Sequence, residues 1–164
     1  PMQSPVPDHS DPLNWRASVE VGAAPGAADG TTYSDWKVAN GIPTPEIDTD
    51  LDDDGRENFL EYFEGTLAGR PDISASSASV ESLDVGGAVD DYFIFRFRRN
   101  LVADDVTVIP ELSADLISWT GGGGEIEFVG RERISATAEN LVFRSAAPAS
   151  SRGRVFGRIR IESR

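Results

Sequence analysis

Tyr92-Phe93-Ile94-Phe95-Arg96-Phe97-Arg98 is the stretch on which the fold turns. Phe93, Phe95 and Phe97 recur at period two, with Arg96 and Arg98 on the other side of the ribbon. That alternation predicts a strand with one buried face. On either side, 79–84, 105–112, 125–130, 141–145 and 154–162 read as further strands, with a weaker candidate over 132–136. Gly121 to Gly124 and Ala146 to Gly153 supply turns between them. About seven short strands after Pro71 predict an antiparallel β-sandwich.

Upstream of Pro71 the period changes. Residues 33–40 predict a short helix: Thr32 or Ser34 caps it, Asp35 suits its first turn, and Gly41, Pro43 and Pro45 end it. Residues 57–64 predict a second, with Phe59, Leu60 and Phe63 as its apolar stripe and Gly65 as its stop. Trp36 is expected in the core between helix and sheet. Residues 1–30, rich in Pro, Gly, Ala and Ser, read as an extended arm. Its apolar cluster of Leu13, Trp15, Val19 and Val21 suggests a short strand with a turn. The arm is expected to dock on its own domain or on a neighbour, strand donation to a sheet edge being one mode.

The chain has 164 residues, 39% of them hydrophobic and 26% charged, enough for a packed core. No apolar run reaches the roughly 20 residues of a membrane span. The net charge of −13 opposes general binding to nucleic acid or anionic membranes. It is unevenly distributed: residues 1–90 carry 18 acids and 4 bases, residues 91–164 carry 10 and 11. The absence of cysteine excludes disulfides, zinc ribbons and thiol nucleophiles. With His9 the only histidine, a Ser-His-Asp triad or a His-rich metal site is not expected. Pro1 in place of Met, with no leader-like stretch after it, is expected of a processed product or a piece of a longer polypeptide.

The acidic density peaks in Asp48-Thr49-Asp50-Leu51-Asp52-Asp53-Asp54-Gly55-Arg56-Glu57-Asn58-Phe59-Leu60-Glu61. With Asp50 as position 1, Asp52, Asp54, Gly55, Arg56, Asn58 and Glu61 fall at positions 3, 5, 6, 7, 9 and 12, the ligand spacing of an EF-hand calcium loop. Ca²⁺ is a hard cation that takes six to eight oxygens. Carboxylates at alternate positions converge as the chain curls, and Gly55 permits the sharp turn. Arg56 offers its carbonyl, Asn58 binds directly or through water, and Glu61 closes the site from the next helix. A frame beginning at Asp48 fails, since it puts Asp53 where Gly is needed and Phe59 where Glu is needed. Asp48 remains a candidate outer ligand. The competing reading is a solvated acidic linker.

Asp-x-Asp-x-Asp-Gly-x-x-Asn-x-x-Glu-Tyr resembles the dockerin-type or thrombospondin type-3-like calcium loops of bacterial secreted proteins. With Trp36 and Asn40-Gly41 upstream, residues 33–65 resemble C-terminal regions of large surface proteins of Verrucomicrobia and Planctomycetes type. Glu57 at position 8 departs from the aliphatic residue through which EF-hands pair, so a single half-site is implied. Residues 92–99, Ser113-Ala114-Asp115-Leu116-Ile117-Ser118-Trp119 and the closing 154–161 resemble the same bacterial regions. They imply an immunoglobulin-like or fibronectin type III-like sandwich without a catalytic role. Asp11 to Ser18 with Pro25-Gly26 resembles the end of a lamin-tail-like domain.

The expected architecture is thus mostly β with a small helical element: an arm over 1–30, a helix–calcium loop–helix element over 31–70 and a sandwich over 71–164. The expected function is a non-catalytic calcium-binding structural module, extracellular or at the cell surface, in one version a subunit of a filament or coat. Self-association or another surface protein is the expected partnership. Arg152, Arg154, Arg158 and Arg160, on one face with Phe156, are either a solvated surface or a contact for the acidic half of a neighbour. The alternative function is an adhesion module that binds carbohydrate or a partner through Trp15 and Trp119; Trp15 packing on its own core is the competing reading. No nucleophile, base or phosphate loop stands out, so an enzyme is not expected.

Overall fold

A computed structural model describes residues 10–19, 22, 30–42, 49–122 and 124–164. Asp48, His9, Val21 and the Pro25-Gly26 pair, singled out above, lie outside them.

Seven strands form two antiparallel sheets, as a β-sandwich requires. One sheet has the order β1 (Ser77–Val85), β2 (Ala88–Asn100), β6 (Ala138–Ser145), β5 (Ile126–Arg133). The other has the order β4 (Thr120–Gly121), β3 (Val106–Ser113), β7 (Phe156–Ser163). The aromatic stretch lies in β2, with Phe95 and Phe97 buried and Phe93 half-buried on one face. Tyr92 and Ile94 are buried on the other face with Val142, so the strand is not one-sided as its alternation predicts. Phe97 packs tilted against Phe143 of β6 at 5.9 Å between ring centroids. Burying a ring of this size contributes about 1.5–3 kcal/mol, so the Phe cluster is the main apolar anchor of the sandwich. β2 is longer than its hydrophobic part because Gly86 and Gly87, both at positive φ, make a tight hairpin that extends the pairing with β1.

Two strand expectations are corrected. Residues 134–136 are a turn, not strand, with the Ile134 and Ser135 N–H groups both donating to the Ala138 carbonyl. Among its described residues the arm cluster forms no strand: Pro12–Asn14 is a single 3-10 turn capped by the Asp11 side chain, which accepts the Leu13 N–H at 2.8 Å. Proline just before the run withholds a ladder donor, and Asp11 offers the backbone a turn instead.

The described stretch of the arm, residues 10–19, docks on its own domain. Arg99, buried with Glu139, donates to the Leu13 carbonyl at 3.2 Å and the Trp15 carbonyl at 2.9 Å. Arg131 donates to the Trp15 carbonyl at 2.7 Å. Arg16 pairs with Asp104 at 2.8 Å. Leu13 packs on the sandwich core, whereas Trp15 is 57% exposed and does not fill it.

The helices α1 (Tyr33–Ala39) and α2 (Asn58–Glu64) are where the sequence places them. Thr32, of the two candidate caps, accepts the Asp35 N–H. Their aromatic residues join the core of the strands: Tyr33, Phe59, Tyr62 and Phe63 are buried in one cluster with Phe95, Phe97, Val106 and Leu141. Trp36 is half-buried against Tyr33 and Tyr62. Among the described residues, no helix is long and apolar enough to cross a membrane.

Candidate metal centre

The segment from Asp50 to Glu57 curls tightly and then becomes α2, which carries Glu61. Gly55 sits at φ +90°, a conformation that side chains with a Cβ rarely adopt, and Asp53 at φ +58°. The carboxylates face inward and collect the loop's own N–H groups. Asp50 Oδ2 accepts from Gly55 at 2.8 Å, Asp52 Oδ1 from Asp54 at 3.3 Å, and Asp54 Oδ1 from Arg56 at 2.8 Å. Asp54 Oδ2 also accepts the Asp72 N–H at 2.9 Å. One carboxylate oxygen from each of Asp50, Asp52 and Asp54 can be chosen so that all lie within 4.8 Å of one another.

The oxygens that those N–H groups do not use define the site. Asp50 Oδ1, Asp52 Oδ2 and both oxygens of Glu61 are buried without a hydrogen-bond partner. They are all the unpartnered buried carboxylate oxygens among the described residues. Glu61 is wholly buried. Burial, then the negative charges of Asp52 and Asp54, push its carboxyl up to about 7. Asp52 is raised as well, by burial and by repulsion from Asp54 and Asp50. Asp50 is lowered: burial opposes its ionisation, but the N–H groups of Gly55, Asp53 and Asp54 outweigh that. Buried acceptors without donors are rare because each costs its desolvation. Four together, on carboxylates that repel one another, form an environment that a cation would relieve.

The other sequence-predicted residues surround this centre. Asn58 is fully buried and braces the loop. Its Nδ2 donates to Thr49 Oγ1 at 2.9 Å, and its Oδ1 accepts the Leu51 N–H at 3.2 Å. The Arg56 side chain pairs with both Glu64 and Asp72 and ties the loop to the far end of α2. Ser76 supports Glu64 at 3.0 Å. The C-terminus of α2 closes on Gly65, at φ +72°, with Gly65 and Thr66 both donating to the Glu61 carbonyl.

Tyr62, which the sequence reading left out of the apolar stripe, bolts this helix to the sandwich. Its buried hydroxyl donates to Asp105 Oδ1 at 2.6 Å, accepts the Asp104 N–H at 3.0 Å, and also meets the Thr31 carbonyl. Asp105 in turn accepts the Tyr33 N–H at the start of α1, at 3.0 and 3.1 Å. One carboxylate therefore joins both helices to the β2–β3 turn. The signal for it was the Tyr62 position itself, one helical turn after Phe59 on the same face.

The arginines proposed as an outer face have acidic partners within the chain. Arg158 and Arg160 flank Glu111 at 2.7 and 3.1 Å, and Arg152 pairs with Glu125. Arg152 and Arg154 precede β7 and are not part of its ladder. Trp119 carries the Arg158 guanidinium 4.1 Å over its ring, so one face of that candidate sugar platform is already used.

No protein-family model matches this sequence, and neither the curated proteins nor the solved structures yield a significant match.

Proposed function

We propose that the chain is a non-catalytic calcium-binding structural module of a secreted or cell-surface protein. The observation that carries this is the set of four buried, unpartnered carboxylate oxygens on Asp50, Asp52 and Glu61, beside Asp54, in a loop whose spacing is that of a calcium site. Asp50, Asp52, Asp54, the Arg56 carbonyl and both Glu61 oxygens would hold the ion, with Asn58 as brace. All-oxygen ligation by this many protein groups suits Ca²⁺ better than Mg²⁺, which keeps more of its water. Bound metal would neutralise the repulsion inside the loop and fix α2, which Tyr62 and Phe63 attach to the sandwich. The role is thus to stiffen the junction between the acidic N-terminal part and the β domain.

The strand order supports an immunoglobulin-like reading of the sandwich. With β4 as an extra short strand, β1-β2-β6-β5 facing β3-β7 matches the A-B-E-D and C-F arrangement of such domains. A partner-binding adhesion role is the second reading, favoured by the exposure of Trp15; loss of glycan or partner binding in Trp15→Ala would support it.

Calorimetry in calcium and in EDTA tests the main reading. Extracellular calcium modules bind at about 10⁻⁴–10⁻³ M, so millimolar calcium should stabilise the fold by roughly 0.5–1.5 kcal/mol. For a chain of this size that raises the melting temperature by about 2–5 °C. An unchanged melting temperature would overturn the proposal.

A further inference from the structure

The twelve residues from Asp50 to Glu61 hold six acids and a single base, Arg56. A cation there works against a bound metal ion, since like charges repel. The Arg56 guanidinium, however, leaves the loop. It pairs with Glu64, the last residue of α2, and with Asp72, on the connection between α2 and β1. Glu64 is buried and is also reached by the hydroxyls of Ser76 at 3.0 Å and Ser74 at 3.5 Å. The Asp72 N–H donates to Asp54 Oδ2 at 2.9 Å, while the Arg56 N–H donates to Asp54 Oδ1 at 2.8 Å. Both oxygens of this carboxylate are therefore oriented by donors, one inside the loop and one outside it. Asp72 is the only residue from Gly69 to Ala75 that is not exposed. That stretch is thus held against the loop through Asp72, and Asp72 is held by Arg56 and Asp54.

We propose that Arg56 is a positioning residue for the ion: its guanidinium, clamped by Glu64 and Asp72, fixes the main-chain carbonyl at position 7 of the loop and couples calcium binding to the docking of residues 72–76. This deepens the calcium reading and rests on it. Beyond the aspartates themselves, that reading has the support of Glu61, wholly buried with neither oxygen partnered. A carbonyl turns only with its own residue. Pinning the Arg56 side chain at its far end therefore removes freedom that ligation would otherwise have to remove. Asp54 carries the coupling in both directions. An ion on Asp54 holds the carboxylate that the Asp72 N–H needs, and the docked N–H holds the carboxylate for the ion. Such coupling is reciprocal by linkage. The charge of Arg56 opposes the ion while its geometry favours it, so the sign of its effect on affinity separates the two.

Calcium titration by isothermal calorimetry, with residue-resolved amide exchange, tests this on the whole chain. In the wild type, calcium should slow exchange of the Asp72 amide by about fivefold or more. Arg56→Met keeps the carbonyl and deletes the guanidinium. Were Arg56 only a charge near the ion, this variant would bind calcium more tightly. As a positioning residue, its loss should weaken binding by about fivefold or more. Arg56→Met also leaves Glu64 buried without its cation, which threatens the fold. The double variant Arg56→Met with Glu64→Met replaces the buried pair by apolar groups and keeps the net charge. It should bind calcium as weakly as the single variant and lose most of the calcium-dependent protection at Asp72. Affinity equal to or above that of the wild type in the folded variants overturns the proposal. So does a wild-type Asp72 amide that ignores calcium while the loop binds it. A wild type that binds no calcium overturns the calcium reading and this proposal together, whereas the other two outcomes leave the calcium reading intact.

Discussion

Glu61 should give the metal-free protein a stability that falls as pH rises, opposite to the usual carboxylate. Its carboxyl is pushed up to about 7 in the folded chain, against 4.5 for the ordinary group. Below about pH 4.5 both folded and unfolded chains hold this proton, and the group contributes nothing. Between the two values only the folded chain holds it, so unfolding releases a proton and stability drops with increasing pH. Above about pH 7 the full penalty is in place, about 3 kcal/mol for a shift of this size. Asp52, also raised, adds in the same direction. Calcium reverses the case, because it holds the carboxylate ionised and compensates its burial. Glu61→Gln should therefore flatten the slope in EDTA and leave the variant more stable than the wild type by about 1–3 kcal/mol at pH near 8. In calcium the same variant should bind the ion at least about tenfold more weakly and lose its advantage. Urea unfolding followed by tryptophan fluorescence, from about pH 5 to 8 with and without calcium, measures this. A wild type and a Glu61→Gln variant with parallel pH profiles in EDTA would refute the reasoning.

Three further perturbations probe how α2, the two sheets and the arm are held together. Tyr62→Phe removes the hydroxyl that faces Asp105, Thr31 and the Asp104 N–H and should cost about 1–3 kcal/mol in urea, leaving buried polar groups unpaired. In Gly157→Ala the new Cβ would run into the Phe95 ring between the two sheets; the substitution should cost about 1–3 kcal/mol or more, and melting without a loss would mean that the sheets can separate there. Arg99→Met strips the buried partner from Glu139, leaving only Arg131 at 3.4 Å, and removes a donor from the Leu13 and Trp15 carbonyls, of which Trp15 keeps Arg131. It should destabilise by about 3 kcal/mol and expose Arg16 to faster cleavage in limited trypsin digestion.

Much of this could be read from the chain, for reasons that differ by element. Period-two phenylalanines gave the location of β2, because Phe95 and Phe97 share the face that packs on the main core; the burial of Tyr92 and Ile94 on the other face was not marked by the alternation. Its ends were missed because Gly86-Gly87 and the small polar residues of β1 pair with it through backbone and polar contacts such as Ser82 to Asp91, which leave little trace in hydrophobicity. The convergence of Asp50, Asp52 and Asp54 was legible because their alternate spacing and the turn at Gly55 bring carboxylates together. What the spacing could not give was the division of labour within it: that Asn58 would brace Thr49 and Leu51, or that Arg56 would reach Glu64 and Asp72. Those contacts depend on how α2 lies against the strands. The Asp105 and Arg99 anchors were invisible for a similar reason, since each joins segments far apart in sequence. Trp15 shows the opposite limit: a large aromatic residue near apolar neighbours reads as core, yet the 3-10 turn at Pro12 sends its carbonyl, not its ring, into the fold.

The central claim rests on an ion among Asp50, Asp52, Asp54 and Glu61, and anomalous diffraction from crystals grown with calcium addresses it directly. The account predicts one peak in the loop, with oxygens of all four side chains at about 2.3–2.6 Å and the Arg56 carbonyl among its ligands. A loop that stays free of anomalous density at millimolar calcium, with Glu61 still buried and unliganded, would contradict it.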